Sequence, residues 1–246
     1  MWSIYFNTPQ HQSDYLKDWL PWRGTYLKHL LEIEGRPGDG ICDHCHHREG
    51  IFRCLDCLGD LIWCKNCCLK LHHHIPFHRI LEWSGKYFFK SSLQKLGYII
   101  QLGHRGHPCP NASTTMDSHK NNKEDTDGDS AEDNDSDGGH DMNDMEMVII
   151  NTNGVFHHTV RPCSCPNMHQ DVHIQLLRMG LFSATLIKPS TAFTFNVLDY
   201  FYVDAMECKT ACSSFMKKVQ RLSNNAFPDT VPVNPCTHWS IMKRKS

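Results

Sequence analysis

Three Cys-x-x-Cys pairs follow one another within a stretch of about forty residues, and two histidines come after them. The pairs are Cys42/Cys45, Cys54/Cys57 and Cys64/Cys67, followed by His72 and His78. Thiolate and imidazole are the ligands of tetrahedral zinc, and two thiolates two residues apart can reach one ion from a tight turn. A single such pair can be a redox motif or chance, but this series predicts two zinc ions.

The short spacers between the pairs favour an interleaved arrangement over two independent fingers. The first and third pairs would share one ion, and the second pair with His72 and His78 would share the other. Either His73 or His74 could replace His72. Cys68, His44, His46 and His47 are not expected to be ligands. So short a stretch rarely buries enough apolar surface to fold alone, and a structural zinc contributes roughly 10–16 kcal/mol of apparent binding energy.

A third metal site is a weaker expectation. Cys163 and Cys165 form a Cys-Ser-Cys motif, and Cys109 lies on the other side of an acidic segment with His104 and His107 nearby. If that segment loops out, Cys109, Cys163, Cys165 and His104 could form a tetrahedral site. The alternative is a set of isolated thiols. Buried or free thiols are expected at Cys208, Cys212 and Cys236.

The charge of the chain is unevenly distributed. The net charge is −2, but residues 111–147 carry twelve acidic residues and two lysines, which leaves a balance of +8 elsewhere. A basic body suits a polyanion such as DNA, although this charge is also that of an ordinary surface. The cations flanking the cysteine pairs are candidate phosphate contacts: Arg48, Arg53, Lys65, Lys70 and Arg79.

Several classes of protein are not expected. The chain has no apolar run that could span a membrane and no signal peptide at its start, so thirteen cysteines indicate metal rather than disulfides. No nucleophile triad, phosphate loop or dinucleotide fingerprint is present, and no small-molecule substrate is expected. A zinc with four protein ligands has no open coordination position, which argues against metal catalysis at these sites.

The sequence predicts a small α+β fold in which a zinc-stabilised cross-brace precedes a β-hairpin and a helical region. Ser13 or Asp14 and then Thr25 would begin two helices, with Pro21 ending the first and Gly35 the second. Val148 to Asn151 and Val155 to Val160 flank an Asn-Gly turn, a strong hairpin signal. Mostly helix would follow, including a helix with Pro189 near its start and another with Phe215, Val219 and Leu222 on one face.

The expected divisions are a helical lead-in, a zinc cluster, a packing segment, an acidic disordered insert, a hairpin with helices, and a tail. Their bounds are 1–40, 41–82, 83–110, 111–147, 148–225 and 226–246. The insert lacks the apolar residues that offset the entropy of ordering.

A resemblance to a known family rests on several motifs in order. "LPWRGTYLKHLLEIEGR" precedes the cysteine pairs, and "PFHRILEWSGKYF", "SLQKLGYIIQLGH" and "CP" follow them. Then come "NTNG", "CSC", "QLLRMGLFSATLIKPSTAFTF" and "FMKKVQRLSNN". Over residues 15 to 225, apart from the insert, the chain resembles the CxC cysteine-cluster domain associated with KDZ transposases of fungal DNA transposons. The cross-brace itself resembles ZZ and B-box fingers.

The resemblance implies a zinc-binding N-terminal region of a transposase that assists DNA binding or assembly in the nucleus, or at least inside the cell. The catalytic domain would lie C-terminal to it, and this chain stops at Ser246, so we expect a truncated or remnant copy that is not an enzyme by itself. The alternative is a ZZ-like peptide-binding module, in which Asp43, Asp56 and Asp60 could receive an amine. A ubiquitin-ligase-like cross-brace is the least favoured reading.

Overall fold

A computed structural model describes residues 12–110, 144–165 and 171–233 of the chain. It divides into two compact units, residues 1–71 with 78–92, and residues 72–77 with 93–246. Helices and two separate sheets confirm the expected α+β class. The predictions for most of the acidic insert and for Cys236 lie outside the described residues. None of the described helices combines the length and the apolar character needed to cross a membrane.

The first unit begins with two helices joined by a short 3-10 turn. Helix α1 spans Gln12–Trp19, the turn spans Leu20–Trp22, and α2 spans Arg23–Glu34. Pro21 lies in the 3-10 turn, because its ring permits a first helical turn but blocks a continuing helix. Thr25 lies inside α2 and does not cap it, and Gly35 has extended backbone instead of the left-handed conformation expected at a helix end.

A four-stranded antiparallel sheet forms the rest of the first unit. Its strands are β1 (Phe52–Cys54), β2 (Ile62–Trp63), β3 (Ile80–Trp83) and β4 (Phe88–Ser91), in the order β2-β1-β3-β4. Helix α3 (Lys65–Leu71) follows β2. The buried side chains include several cysteines together with a small apolar set: Phe52, Ile62, Trp63 and Ile80.

Arg53 ties the end of α2 to β1. Its side chain is only 8% exposed, and its guanidinium donates to the carbonyl oxygens of Ile33 and, at 2.8 Å, Gly35. It also forms an ion pair with Asp60 at 2.7 Å and lies 4.1 Å from the centre of the Phe88 ring. A buried guanidinium needs this many acceptors to offset its lost hydration.

A five-stranded mixed sheet forms the centre of the second unit. Its strands are β5 (Ile99–Gln101), β6 (Met145–Asn151), β7 (Gly154–Arg161), β8 (Leu181–Ser183) and β9 (Thr191–Thr194), in the order β5-β7-β6-β9-β8. The β5–β7 and β6–β9 pairs are parallel, and the β6–β7 and β8–β9 pairs are antiparallel. The helices of this unit are α4 (Val172–Arg178), α5 (Phe195–Cys208) and α6 (Cys212–Ser223). Short 3-10 turns occupy His104–Gly106 and Pro228–Thr230.

The predicted hairpin is confirmed as β6 and β7, with Asn151 paired to Gly154. The loop residues are therefore Thr152 and Asn153, one position earlier than the Asn-Gly pair. Strand β6 also begins at Met145, inside the segment expected to be disordered. Asp144 is held there by Arg161, whose Nε lies 2.6 Å from its carboxylate.

Apolar side chains cover both faces of the mixed sheet. Ile149 and Ile150 are consecutive in β6 and belong to different buried clusters, because successive strand residues point to opposite faces. Leu176 of α4 joins the first cluster, and Phe215 and Val219 of α6 join the second. Leu222, expected on the same helix face, is exposed.

The region after the hairpin is less helical than expected. Residues 191–194 form strand β9, and α5 begins only at Phe195, where the Thr194 hydroxyl accepts a hydrogen bond from the Val197 backbone at 3.3 Å. The parallel pairing of β9 with β6 explains the difference. This is a tertiary contact that overrides the local helical pattern.

Candidate metal centres

The first group of ligand atoms belongs to Cys42, Cys45, Cys64 and Cys67. The four sulfur atoms lie within 4.8 Å of one another. Cys42 and Cys45 lie in a turn before β1, Cys64 precedes α3, and Cys67 lies in the first turn of that helix. The structure thus brings the first and third pairs together, and such a group could hold a metal ion.

Asp43 joins the two halves of this first group. Its backbone N–H donates to the Ile62 carbonyl at 2.9 Å, and its carboxylate accepts from the Ile62 N–H at 2.7 Å. Ile62 lies two residues before Cys64, so these bonds set the separation between the turn and α3.

The protonation of the first group depends on backbone donors. The N–H groups of His47 and Arg48 lower the pKa of Cys45 to about 6. In contrast, burial raises the pKa of Cys67 to about 12, and hydrogen bonds with the neighbouring thiols add to the rise. Thiolates this close repel one another, and a bound divalent cation would remove that repulsion.

The second group contains Cys54, Cys57, His72 and His78, whose ligand atoms also lie within 4.8 Å of one another. Cys54 ends β1, and His72 is bonded directly to Leu71, the last residue of α3. The Nδ1 atom of His78 is 3.4 Å from each of the Cys54 and Cys57 sulfur atoms. Burial raises the pKa of Cys54 to about 12.

Asp56 holds the two sides of the second group in place. It accepts from the Arg79 backbone N–H at 2.6 Å, and the Arg79 guanidinium donates to it at 2.7 Å. Because Arg79 follows His78, this clamp fixes the imidazole beside the Cys54–Cys57 turn. The same contacts raise the pKa of Arg79 above its ordinary value, and the largest cause is the hydrogen bond that its guanidinium donates to Asp56.

Cysteine and histidine residues close to these groups are not part of them. Cys68 is fully buried, and its pKa is raised to about 12, first by burial and then by the neighbouring cysteines. His74 is exposed, and His73 makes an edge-on ring contact with Tyr98. His44, His46 and His47 are exposed, as expected.

The third group lies in the second unit and consists of His104, Cys109, Cys163 and Cys165, again within 4.8 Å of one another. The His104 Nε2 atom is 3.2 Å from the Cys163 sulfur and 3.3 Å from that of Cys165. The Cys109 sulfur is 3.7 Å from that of Cys163 and 3.5 Å from that of Cys165. Hydrogen bonding with Cys109 is the largest cause that raises the pKa of Cys165 to about 11.

The sheet positions this third group. Strands β5 and β7 are parallel, so the residues that follow each strand meet at the same edge. Gln175 of α4 then accepts from the Cys163 N–H at 2.8 Å and donates to its carbonyl at 3.2 Å. Gly103 has φ +87°, and a Cβ there would lie 2.9 Å from the Cys163 Cβ, so glycine permits the close approach.

The candidate phosphate contacts differ in accessibility. Arg48, Lys65 and Lys70 are exposed. Arg53 is buried by the contacts described above and is not available to a phosphate, which corrects that part of the expectation. Arg79 is half-buried and engaged by Asp56.

The carboxylates expected to receive a peptide amine are engaged within the first unit. Asp43 bonds the Ile62 backbone, Asp56 bonds Arg79, and Asp60 pairs with Arg53. Each of these carboxylates is therefore already bonded within the first unit, which makes it less available to a peptide amine.

Comparison with known protein families gives a match to one part of the chain. Residues 133–227 match the CxC2-like cysteine cluster associated with KDZ transposases. This CxC2-like region contains Cys163 and Cys165, the Cys-x-Cys pair of the third group. The match confirms the resemblance for these residues, whereas the three Cys-x-x-Cys pairs, His104 and Cys109 lie outside it.

The match is to a cysteine cluster and not to a catalytic domain. No curated protein and no solved structure matches the chain. The earlier motifs of the resemblance, before residue 133, therefore rest on the sequence alone.

Proposed function

We propose that this chain is a zinc-binding cysteine-cluster region that serves a KDZ-type transposase and has a structural role. The observation that carries the proposal is the set of three groups with four ligand atoms each. Their donor sets are four thiols, two thiols with two imidazoles, and three thiols with one imidazole. These are the ligand sets of structural zinc, and thiolates select zinc over magnesium or calcium.

The experiment is elemental analysis of the purified full chain, with three zinc ions per chain as the expected result. Cobalt substitution provides a second readout, because Co²⁺ bound tetrahedrally by thiolates has intense charge-transfer bands. A zinc content of one or less would contradict the proposal. Two ions would restrict the proposal to two of the three groups.

The groups favour a structural role over metal catalysis. Each already offers four protein ligands, so an ion held by all four has no position for a water or substrate. We therefore propose that the chain neither cuts nor joins DNA. A nicking assay in Mg²⁺ or Mn²⁺ should show no activity above that of heat-inactivated protein, and metal-dependent nicking would contradict this part of the proposal.

Contact with DNA phosphates is the role proposed for the exposed cations of the first unit. Lys65 and Lys70 lie on α3, which directly follows Cys64 and carries Cys67 in its first turn, and Arg48 follows the other two ligands of the first group. Zinc would thus hold these cations in fixed positions. Such binding releases counterions and should weaken steeply with salt. None of the helices among the described residues carries a base-reading code, so we expect little sequence preference.

A gel shift tests this role. The double substitution Lys65→Glu with Lys70→Glu should weaken binding at least severalfold, while Lys217→Glu on the second unit should leave it unchanged. Binding that is insensitive to salt, or that responds equally to both variants, would contradict the assignment. Action on transposon DNA would place the protein in the nucleus, which microscopy of the tagged chain can test.

A further inference from the structure

The two histidines of the second group lie at the ends of a short segment that belongs to no helix or strand. His72 directly follows helix α3, and His78 comes shortly before strand β3. Both imidazoles must reach the same pair of sulfur atoms, so the course of this segment determines whether the four ligand atoms can meet. A segment without regular secondary structure needs other contacts to fix its backbone.

A side chain anchors each end of this segment. The Tyr98 hydroxyl donates to the His73 carbonyl oxygen at 2.6 Å, and the Asn153 amide donates to the Phe77 carbonyl oxygen at 2.9 Å. These carbonyls belong to the residue after the first histidine ligand and to the residue before the second. The backbone is therefore held directly beside both imidazole ligands.

His158 holds the middle of the segment. Its Nε2 atom lies 3.0 Å from the Pro76 carbonyl oxygen, which can only accept, so Nε2 carries the proton. The other ring nitrogen, Nδ1, has no hydrogen-bond partner among the described residues. His158 is 1% exposed, and its ring centroid lies 5.8 Å from those of both Phe77 and Tyr98. Packing on these two rings fixes the direction in which the imidazole donates.

The direction of the Asn153 amide is set by its neighbours. Its Oδ1 atom accepts from the Asn151 amide at 2.7 Å, and the Asn151 Oδ1 atom accepts from the Thr194 hydroxyl at 2.8 Å. With its oxygen engaged in this way, Asn153 presents its NH₂ group to the segment. The anchor is thus built into the β6–β7 hairpin and the start of α5.

All three anchoring side chains belong to the same compact unit as residues 72–77. Asn153 and His158 also lie in the CxC2-like region, residues 133–227. The CxC2-like region therefore holds a segment that lies outside its own match and that carries ligand residues at its ends.

We propose that Tyr98, Asn153 and His158 are positioning residues of the second metal site, which hold residues 72–78 in the conformation that presents both imidazoles to the two thiols. The proposal rests on the zinc binding proposed for this group. The anchors order the segment before the ion arrives, so the binding energy of the ion does not have to offset the conformational entropy of these residues. Removing an anchor should lower the metal affinity of the second group alone.

The experiment loads the full chain with ¹¹³Cd²⁺, which replaces zinc at thiolate sites and gives NMR signals. The ¹¹³Cd chemical shift increases with the number of thiolate ligands, so groups with four, two and three thiols should give separate signals. Titration with EDTA then gives the relative affinity of each group within one sample.

Tyr98→Phe removes one hydroxyl group and keeps the ring, and Asn153→Asp replaces the amide donor with a carboxylate that repels the Phe77 carbonyl. Tyr98→Phe should lower the affinity of the second group severalfold, and the two substitutions together should lower it about tenfold or more. Tyr202→Phe is the matched control, because it makes the same change at a tyrosine of the second unit that is 62% exposed. It should leave all three signals and affinities unchanged.

A conservative variant separates the hydrogen bond of His158 from the packing of its ring. His158→Gln keeps an N–H donor, whereas His158→Leu keeps only apolar bulk. The second group should bind cadmium more tightly in His158→Gln than in His158→Leu, and equal affinities would show that the hydrogen bond to Pro76 does not position the segment.

The third group is an internal standard, because it lies in the same unit as the anchors. Equal losses of affinity at the second and third groups would mean that the substitutions only destabilise this unit, and would overturn the proposal. Unchanged affinity of the second group in Tyr98→Phe with Asn153→Asp would also overturn it, while leaving the proposed zinc binding intact. If the unaltered chain gave no signal from a site with two thiolates, the zinc binding proposed for this group would itself be wrong.

Discussion

Replacing Cys54 with alanine removes one ligand atom from the second group and leaves the other two groups complete. Three groups predict three zinc ions in the unaltered chain, so Cys54→Ala should contain no more than two. A structural zinc contributes roughly 10–16 kcal/mol of apparent binding energy, and a whole domain is stable by only about 5–15 kcal/mol. Loss of one ion should therefore be enough to unfold the first unit.

The second unit should survive this substitution, because it has apolar clusters of its own on both faces of its sheet. The buried apolar set of the first unit, Phe52, Ile62, Trp63 and Ile80, is much smaller. Methyl NMR signals of Ile149 and Ile150 should stay dispersed in Cys54→Ala, while those of Ile62 and Ile80 should move to random-coil positions. Zinc content is measured on the same samples.

Two cysteines provide matched controls. Cys68→Ala removes a fully buried thiol that lies near the first and second groups without belonging to either, and it should cost about 1 kcal/mol and no zinc. Cys208→Ala removes an exposed thiol and should change neither quantity. If Cys54→Ala kept three zinc ions, or if Cys68→Ala also lost one, the ligand assignment of the second group would be wrong.

Three further outcomes are expected. Burial lowers the pKa of His158 to about 4, so the unfolded chain binds the proton more tightly than the folded chain. The free energy of unfolding should therefore fall as pH drops from about 6.5 towards 4. In urea denaturation, the unaltered chain should lose about 1.2 kcal/mol more than His158→Gln between pH 7 and 5.5. Zinc loading at pH 7 should release protons, because Cys54 and Cys67 have pKa values of about 12; titration heats that are the same in buffers of different ionisation enthalpy would contradict this. Gly103→Ala should weaken the third site, whereas Gly106→Ala, with a similar φ of +86° and open space around its Cβ, should keep its zinc.

The first two groups could be predicted in outline from the sequence because their geometry is mostly local. Two cysteines two residues apart face one point from a single turn, so Cys42/Cys45 and Cys64/Cys67 each act as a unit. The backbone N–H groups that lower the pKa of Cys45 come from the same turn. The β6–β7 hairpin is local as well, and its turn residues specify it.

Tertiary structure decided the rest. Cys109 and Cys163 are 54 positions apart, and the parallel β5–β7 pairing brings their sulfur atoms to 3.7 Å. A parallel pair of strands has no short connecting turn, so no local sequence motif predicts the pairing. Strand β9 was not predicted for the same reason, since it pairs in parallel with β6 and the local sequence pattern over it favours a helix.

The sequence also could not predict which charged and apolar side chains are buried. Arg53 resembles the neighbouring surface cations in sequence, but the end of α2 offers its guanidinium two carbonyl acceptors. Leu27, Leu30 and Leu31 have the spacing of a buried helix face, yet all three are exposed. Residue types and local spacing determined which side chains could bind metal. Contacts between segments far apart in the chain decided which of these side chains meet and which are accessible. The free energy of such contacts cannot be read from a short stretch of sequence.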